Sequence, residues 1–170
     1  MSYRLHLRRA YLLLTSSQTT FVIDIDGTVA DISHRQSLIE QDPPDWDTFF
    51  DPDLVMKDKP KKVKKILKDI IDKYGKIYFL TGRPYKLRKT TQEWLKRHFD
   101  LDSSDYRLFM RGNTDKRPSS LVKKTFIEKV FPDRNFVFVD DEDDNLEMMS
   151  EFGEALKAPG AWNKIEQEYL

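Results

Sequence analysis

The chain has 170 residues, enough for one domain that buries roughly two-thirds of the surface of its unfolded chain. It contains no cysteine, which excludes disulfides, thiolate metal sites and a cysteine nucleophile, and agrees with a reducing compartment. Its 29 basic and 29 acidic residues cancel, so only local fields can steer a partner, as in the lysine-rich stretch 57–68 and the acidic stretch 140–151.

The first segment, residues 1–19, lacks acidic residues and carries Arg4, Arg8 and Arg9. We expect a flexible N-terminal extension, either frayed or the product of a start codon placed too far upstream; an organelle transit peptide is the alternative. The apolar run 10–14 is too short to cross a bilayer, and no later segment is long enough. We therefore expect no membrane partner and a cytoplasmic protein.

A buried strand follows, because Phe21, Val22, Ile23 and Ile25 form an apolar, β-branched run typical of a central parallel strand. The strand ends in two carboxylates, Asp24 and Asp26, and Gly27 permits a sharp turn after them. In open α/β sheets, ligands bind at the carboxyl ends of the strands. Two carboxylates so close together repel each other, so a bound cation is their natural partner, and Mg²⁺ prefers such oxygen ligands.

Residues 31–58 do not continue the pattern of an apolar strand. They contain proline-rich turns around two short helices, predicted at 37–41 and 46–50. We interpret this segment as a small helical lid inserted after the acidic loop. His34 and Arg35 face either the substrate or solvent. The lid's aromatic side chains either stack on a substrate base or, as is more common, pack the lid onto the core. These aromatic residues are Trp46, Phe49 and Phe50.

Strands and helices then alternate along the chain. The predicted helices are amphipathic and span 60–74, 85–99 and 119–131, the first ended by Gly75. The predicted strands span 77–80, 106–110 and 136–139. This alternation predicts the α/β class with a doubly wound parallel sheet and its reactive loops along one edge. It leaves no room for a large second cap domain, so we expect an open site.

Polar residues directly follow two of these strands. Thr81, Gly82 and Arg83 supply a hydroxyl, a flexible backbone and a guanidinium, which suit phosphate oxygens. Asp140 and Asp141 follow the strand at 136–139 and are further ligands of the kind that metal ions bind. Between the two strands, a predicted helix carries the adjacent lysines Lys123 and Lys124.

The order Asp24, Thr81, Lys123 and Asp140–Asp141 resembles that of the haloacid-dehalogenase (HAD) superfamily of phosphatases. Over residues 20–160 the chain is more closely similar to the phosphatase domain of bacteriophage polynucleotide kinase/3′-phosphatase. That similarity is carried by Leu80-Thr81-Gly82-Arg83-Pro84, Trp94-Leu95, Met110-Arg111, Arg117 six residues before Lys123, and Val139-Asp140-Asp141 with Glu147-Met148. The chain departs from the pattern at Ser119, where an acidic residue is usual two positions after the arginine.

The resemblance implies a Rossmann-like HAD fold for residues 20–170 and assigns chemistry to the two aspartates. Asp24 would be the nucleophile that forms an aspartyl-phosphate. Asp26 would be the general acid and then the base, with a pKa raised towards the working pH. Mg²⁺ would be held by Asp24, the backbone carbonyl of Asp26 and the acidic pair, with Asp141 the first choice and Asp140 or Asp144 in support.

The remaining roles concern the phosphate and the substrate. Thr81 and Lys123 would bind the transferring phosphoryl oxygens, with Lys124 an alternative to Lys123. Gly82, Arg83 and Arg117 would contact the substrate. The expected substrate is the 3′-phosphate of a nucleic-acid end, the alternatives being a nucleotide-like small molecule, as for a 5′-nucleotidase, or a non-catalytic phosphate- or nucleic-acid-binding module. The presence of Asp26 beside Asp24 argues against the last, because binding requires no acid/base group.

Overall fold

A computed structural model describes residues 19–130 and 135–170 of the chain. The N-terminal extension predicted for residues 1–19 lies outside the described residues except for Thr19, which opens the first strand. Phe131, the last residue of the helix predicted at 119–131, also lies outside them.

In the part of the chain that the structure describes, five parallel strands form the central sheet: β1 (Thr19–Ile23), β4 (Ile77–Pro84), β5 (Tyr106–Arg111), β6 (Asn135–Asp140) and β7 (Gly153–Lys157). Their order across the sheet is β5-β4-β1-β6-β7. The innermost strand is β1, whose Ile23 lies opposite Phe79 of β4 and Val139 of β6. The parallel sheet predicted from the alternation of strands and helices is thereby confirmed.

Helices cover both faces of the sheet, as a doubly wound fold requires. Along β1, Phe21 and Ile23 enter one apolar core, whereas Val22 enters the other. The first core is completed by α4 (Lys64–Tyr74), α5 (Arg88–Phe99) and α8 (Ala161–Glu168), and the second by α6 (Ser119–Val130) and α7 (Asp143–Ser150). A 3₁₀ turn, Tyr85–Leu87, precedes α5. Within the described residues, no helix combines the length and apolarity needed to cross a membrane.

The inserted segment is built on a two-stranded antiparallel ribbon of β2 (Ala30–Asp31) and β3 (Lys59–Pro60). Because β3 uses Lys59 and Pro60, α4 begins four residues later than predicted. The ribbon carries three short helices instead of two: α1 (Ser33–Glu40), α2 (Trp46–Phe49) and α3 (Pro52–Val55). The sequence does signal α3, since the Asp51 side chain caps its N-terminus and Pro52 occupies its first turn, an arrangement we interpreted as a loop.

The C-terminal elements α7, β7 and α8 were not predicted. Asp144, which the sequence suggested as a supporting metal ligand, lies with Asp143 in the first turn of α7. Carboxylates at that position favour a helix, because they interact with the positive end of its dipole.

Candidate active site

The site lies where β1, β4 and β6 end. Asp24 directly follows β1, and its backbone N–H donates to the carbonyl of Val139 on β6 (2.9 Å). Asp140 ends β6, and Asp141 follows it. One carboxylate oxygen from each of Asp24, Asp140 and Asp141 lies within 4.8 Å of the other two. The sheet thus brings together acidic residues more than 110 positions apart in the chain.

Lys123 is buried among these carboxylates. Its Nζ lies 3.0 Å from Oδ1 of Asp24 and 2.6 Å from Oδ2 of Asp140. Burial opposes the charged form, but Asp24 and Asp140 outweigh it and raise the pKa of Lys123 above its ordinary value. Lys124, the alternative from the sequence, instead points outward and pairs with Glu151 at 2.8 Å. Of these two adjacent lysines, only Lys123 is therefore buried in the site and can bind a phosphate there.

The acidic cluster carries more negative charge than Lys123 can balance. Burial raises the pKa of Asp24 well above its ordinary value, and Asp140, Asp26 and Asp141 add to this effect while Lys123 opposes it. Burial raises the pKa of Asp141 as well. The three carboxylates carry more negative charge than the single ammonium group of Lys123 can balance. A divalent cation, which prefers oxygen ligands, would neutralise the excess negative charge. The donor set of Asp24, Asp140 and Asp141 therefore fits a metal ion such as Mg²⁺.

Gly27 brings the acidic loop up against Asp141. Its φ is +76°, and a Cβ built on it would lie 2.0 Å from Oδ2 of Asp141. The next residue, Thr28, donates its hydroxyl to Oδ1 of Asp141 (3.2 Å). The position accepts no side chain, both because its backbone is left-handed and because the carboxylate occupies the space.

Asp26 is held by two arginines and not by the acidic cluster. Arg83 donates from Nη2 and Nε to Oδ1 (2.6 and 3.0 Å) and from Nε to Oδ2 (3.1 Å). Arg35 donates from Nη2 to Oδ1 (2.7 Å). Burial acts to raise the pKa of Asp26, but Arg83 and then Arg35 outweigh it, and the pKa is lowered. The raised pKa expected for this acid/base residue is therefore wrong for this arrangement.

Arg83 lies at the site, but its side chain is not among the groups that line the cleft. The side chain is fully buried and continues from Asp26 to Oδ2 of Asp58 (2.8 Å), with its guanidinium 5.9 Å from the ring centroid of Trp94. A guanidinium enclosed in this way contacts a protein carboxylate and offers no face to a substrate. Its geometry is that of a positioning residue for Asp26.

Asp58, which the sequence analysis missed, joins the two arginines. Its Oδ2 accepts from Nη2 of Arg35 (2.7 Å) as well as from Arg83, and its Oδ1 accepts from Nε of Arg35 (2.8 Å). Nε2 of His34 lies 2.9 Å from the same Oδ1. The buried carboxyl group of Asp58 and the partly exposed one of Asp26 thus share two guanidiniums, an arrangement that fixes Asp26 in position. The only sequence signal was an acidic residue within a lysine-rich stretch.

Thr81 and Gly82 lie near the carboxyl end of β4. Thr81 is buried, and its Oγ1 accepts from the backbone N–H of Arg83 (3.2 Å). Gly82 lines the open cleft, and its carbonyl accepts from Nε of Arg111 (3.0 Å). Nη1 of Arg111 donates in turn to the carbonyl of Asp115 (3.1 Å), which ties the end of β4 to the loop before α6.

Arg117 lies at the surface and pairs with Asp115, whose carboxylate is 2.7 Å from its Nη2. The resemblance places an acidic residue at position 119, two residues after Arg117. In this chain the carboxylate that pairs with Arg117 comes instead from Asp115, two residues before it. Ser119 opens α6 without that role. Arg117 therefore has a carboxylate partner in this chain although Ser119 supplies none.

Asn145 and Glu142 were also missed. Asn145 on α7 is buried, and its Nδ2 donates to Oδ1 of Asp140 (3.0 Å) and to Oε2 of Glu142 (2.9 Å). These contacts orient Asp140 towards Lys123 and place a further carboxylate at the edge of the cleft. Burial raises the pKa of Glu142.

A cleft of about 930 Å³ opens above these groups. Asp24, Asp26, Lys123 and Asp141 all reach it. The inserted segment contributes apolar and aromatic side chains, among them Ile32, Ile39, Trp46, Phe49 and Phe50. The β4–α5 turn and the β5–α6 loop contribute Lys86, Arg111, Lys116 and Arg117. The floor of the cleft thus carries the aspartates and Lys123, one side carries the aromatic residues of the inserted segment, and another carries the basic side chains.

The sequence of the chain was compared with family models and with curated proteins. The model of the polynucleotide kinase PNKP phosphatase domain matches residues 18–155. No protein in the curated set matches the chain.

Comparison by structure finds a chain of a Pnkp1/Rnl/Hen1 RNA repair complex, at 25% identity and a TM-score of 0.62, over 84% of this chain. The match spans only 42% of that chain. A class C acid phosphatase from Bacillus anthracis with tungstate bound is 17% identical, with a TM-score of 0.56 over 98% of this chain and 85% of its own. A HAD family hydrolase from Salmonella enterica serovar Typhi is 13% identical, with a TM-score of 0.53 over 95% and 74%. The last two share the fold.

Proposed function

Since this chain belongs to the family of PNKP phosphatase domains in the HAD superfamily, we propose that it is a Mg²⁺-dependent polynucleotide 3′-phosphatase that forms an aspartyl-phosphate. The observation that carries the proposal is the buried contact of Asp24 with Lys123, at the floor of an open cleft with a basic rim. This contact places a nucleophilic carboxylate beside a cation suited to the phosphoryl group.

In the first step, a carboxylate oxygen of Asp24 attacks phosphorus, and the bond from phosphorus to the 3′ oxygen breaks. Asp26 enters this step protonated, having taken its proton from water in the second step of the preceding turnover, and passes that proton to the departing oxygen. Lys123 and the hydroxyl of Thr81 bind the phosphoryl oxygens as charge builds on them. Because Lys123 also contacts Asp24 and Asp140, it stays fixed during the transfer.

In the second step, water attacks the aspartyl-phosphate and restores Asp24. Asp26 takes the proton from this water and is therefore required as a base. The two guanidiniums of Arg83 and Arg35 stabilise the carboxylate form, which is the form the base needs. Asp24, Asp140 and Asp141 would hold Mg²⁺, which neutralises the negative charge that the substrate phosphate meets at this cluster.

The substrate assignment rests on the basic residues along the cleft. Arg111 and Arg117 already make hydrogen bonds or ion pairs with other groups of the protein, whereas Lys86 and Lys116 take part in none of the ion pairs found among residues 19–130 and 135–170. Such lysines suit the backbone phosphates that precede the reacting 3′ end. The similarity to a chain of an RNA repair complex favours RNA ends among these substrates.

The inserted segment 31–58 serves as the lid of this site. Its helices α1 and α2 supply cleft-lining side chains, and Arg35 on α1 reaches Asp26 itself. The lid therefore contributes to both the chemistry and the substrate surface, while the cleft stays open enough for a polymer end.

A phosphate-release panel tests the proposal. Oligonucleotides with a 3′-phosphate, oligonucleotides with a 5′-phosphate and mononucleotides are compared in Mg²⁺, with Asp24→Asn as the inactive control. We expect the highest kcat/KM for oligonucleotide 3′-phosphates. A higher value for mononucleotides would reject the polynucleotide substrate and leave the phosphatase chemistry standing, whereas no turnover of any phosphate ester would reject the chemistry.

A further inference from the structure

We propose that the exposed face of Trp46 is a stacking platform for the nucleobase of the 3′-terminal nucleotide. The inference rests on the proposed function and deepens it, because it names the group that a substrate must carry beyond its phosphate. The chain has three tryptophans, and two of them, Trp94 and Trp162, are buried. Trp46 is 51% exposed and lines the active-site cleft.

The ring of Trp46 is held in a fixed orientation although much of it faces solvent. It stacks on Phe50 with centroids 5.9 Å apart and planes 19° apart, and it meets Phe49 edge to face at 5.7 Å. The Asp45 side chain accepts from the N–H of Thr48 (3.0 Å) and so caps the helix that starts at Trp46. A rigid aromatic ring loses little conformational entropy when a base stacks on it.

The platform is connected to the reacting groups through Arg35. The Arg35 guanidinium lies 4.2 Å from the ring centroid of Phe49, and its Nη1 donates to the Phe49 carbonyl (3.1 Å). Its Nη2 donates to Asp26. The same side chain thus fixes both the aromatic helix and the acid/base group, so a base bound at Trp46 has a defined position relative to the scissile bond.

The chemistry of the cleft selects a nucleotide as the occupant. The basic side chains Lys86 and Lys116 suit an anion, whereas Trp46 and Ile39 suit a flat apolar group. A peptide segment or a second copy of the chain would not need the phosphate-binding floor beneath the ring. A nucleotide carries both an anion and a π face, and stacking is tolerant of base identity.

Fluorescence provides a test that does not depend on turnover. Asp24→Asn protein is titrated with a 3′-phosphorylated oligonucleotide and with the same strand ending in an abasic 3′-phosphate. We expect the normal end to quench the emission of the exposed tryptophan and the abasic end to leave it nearly unchanged. The double variant Asp24→Asn/Trp46→Phe should lose the quenching, because the two remaining tryptophans are buried.

Kinetics provide the second test, with Trp46→Ala and Trp46→Phe compared. For the normal end, Trp46→Ala should raise KM roughly tenfold, the scale of one lost base stack, with little change in kcat. Trp46→Phe should retain most of the affinity. Neither change should affect KM for the abasic end. Tyr85→Ala is the matched control and should behave as wild type, because Tyr85 is 56% exposed but is not among the cleft-lining residues.

The outcomes separate this inference from the proposed function. Equal KM values for normal and abasic ends in the wild-type protein, or equal losses for both ends in Trp46→Ala, overturn the platform and leave the 3′-phosphatase in place. The wild-type comparison stands even where Trp46→Ala fails to fold. Absence of phosphate release from every oligonucleotide 3′-phosphate rejects the proposed function, and this inference with it.

Discussion

The guanidinium of Arg83 donates three hydrogen bonds of 2.6–3.1 Å to the carboxylate of Asp26, although the two residues are 57 positions apart in the chain. This pair determines how the site is organised. Asp24 and Asp26 both lie at the end of β1, but they contact different groups. Asp24 contacts Lys123 in the acidic cluster, whereas Asp26 contacts Arg83 and Arg35. Their environments shift the two pKa values in opposite directions: burial raises the pKa of Asp24, whereas Arg83 and Arg35 outweigh burial and lower the pKa of Asp26.

Asp24→Asn should abolish phosphate release, by on the order of 10³-fold or more, because it removes the nucleophile. The amide is nearly isosteric, so circular dichroism and the melting temperature should show a folded protein. Asp102→Asn, an exposed aspartate that pairs with Lys96, is the matched control and should retain full activity. Near-normal turnover by purified Asp24→Asn would contradict the covalent mechanism.

Arg83→Lys should lower kcat roughly 10- to 100-fold with little change in KM, because lysine keeps the charge but cannot reproduce the planar fork that orients Asp26. Arg107→Lys, on the exposed side of β5, is the control and should be neutral. Steady-state kinetics on a 3′-phosphorylated oligonucleotide give both constants. A large rise in KM at constant kcat would instead mean that Arg83 binds substrate.

Chelation should abolish activity, and Mg²⁺ should restore it, because Asp24, Asp140 and Asp141 otherwise face the substrate phosphate with unbalanced negative charge. Ca²⁺ should bind but support turnover poorly, since its larger and looser coordination misplaces the reacting groups. Binding is measured separately as a rise in melting temperature with Mg²⁺. Asp141→Asn should weaken that rise. Full activity in excess chelator would refute the metal requirement.

Gly27→Ala should impair both activity and the Mg²⁺-dependent rise in melting temperature, because the new methyl group would displace the carboxylate of Asp141. The matched control is Gly75→Ala. Gly75 also has a positive φ, of +87°, but a Cβ there meets nothing within 4 Å. Gly75→Ala should therefore cost only about 1 kcal/mol of stability from backbone strain. Equal effects of the two substitutions on Mg²⁺ binding would show that contact with Asp141 is not responsible.

KM for oligonucleotide 3′-phosphates should rise more steeply with salt than KM for a mononucleotide, because each cationic contact with the strand releases counterions. Lys116→Gln should reduce this salt dependence and weaken the gain from longer strands. Lys62→Gln, an exposed lysine outside the cleft lining, is the control. Identical salt dependence for long and short substrates would indicate that only the terminal phosphate is bound.

The sequence by itself determined four of the five strands of the sheet, all except β7, and the placement of Asp24, Thr81, Asp140 and Asp141 near the carboxyl ends of three of them. Hydrophobic periodicity is a local property, and the carboxyl ends of parallel strands must meet at one edge, so residues that follow those strands are neighbours without any knowledge of packing. The same local signals predicted the ends of α4 at Gly75 and of α5 at Phe99.

Only the tertiary structure decided the partners within the site. Lys123 and Lys124 are adjacent, and about 100° of helix rotation, which the position of α6 on the sheet fixes, sends one to Asp24 and the other to Glu151. Arg83, Asp26 and Asp58 come together from three separate segments. An ion pair depends on the distance between side chains and leaves no periodic trace in the chain, so the sequence could place Arg83 at the site but could not show that it faces Asp26 and not the substrate.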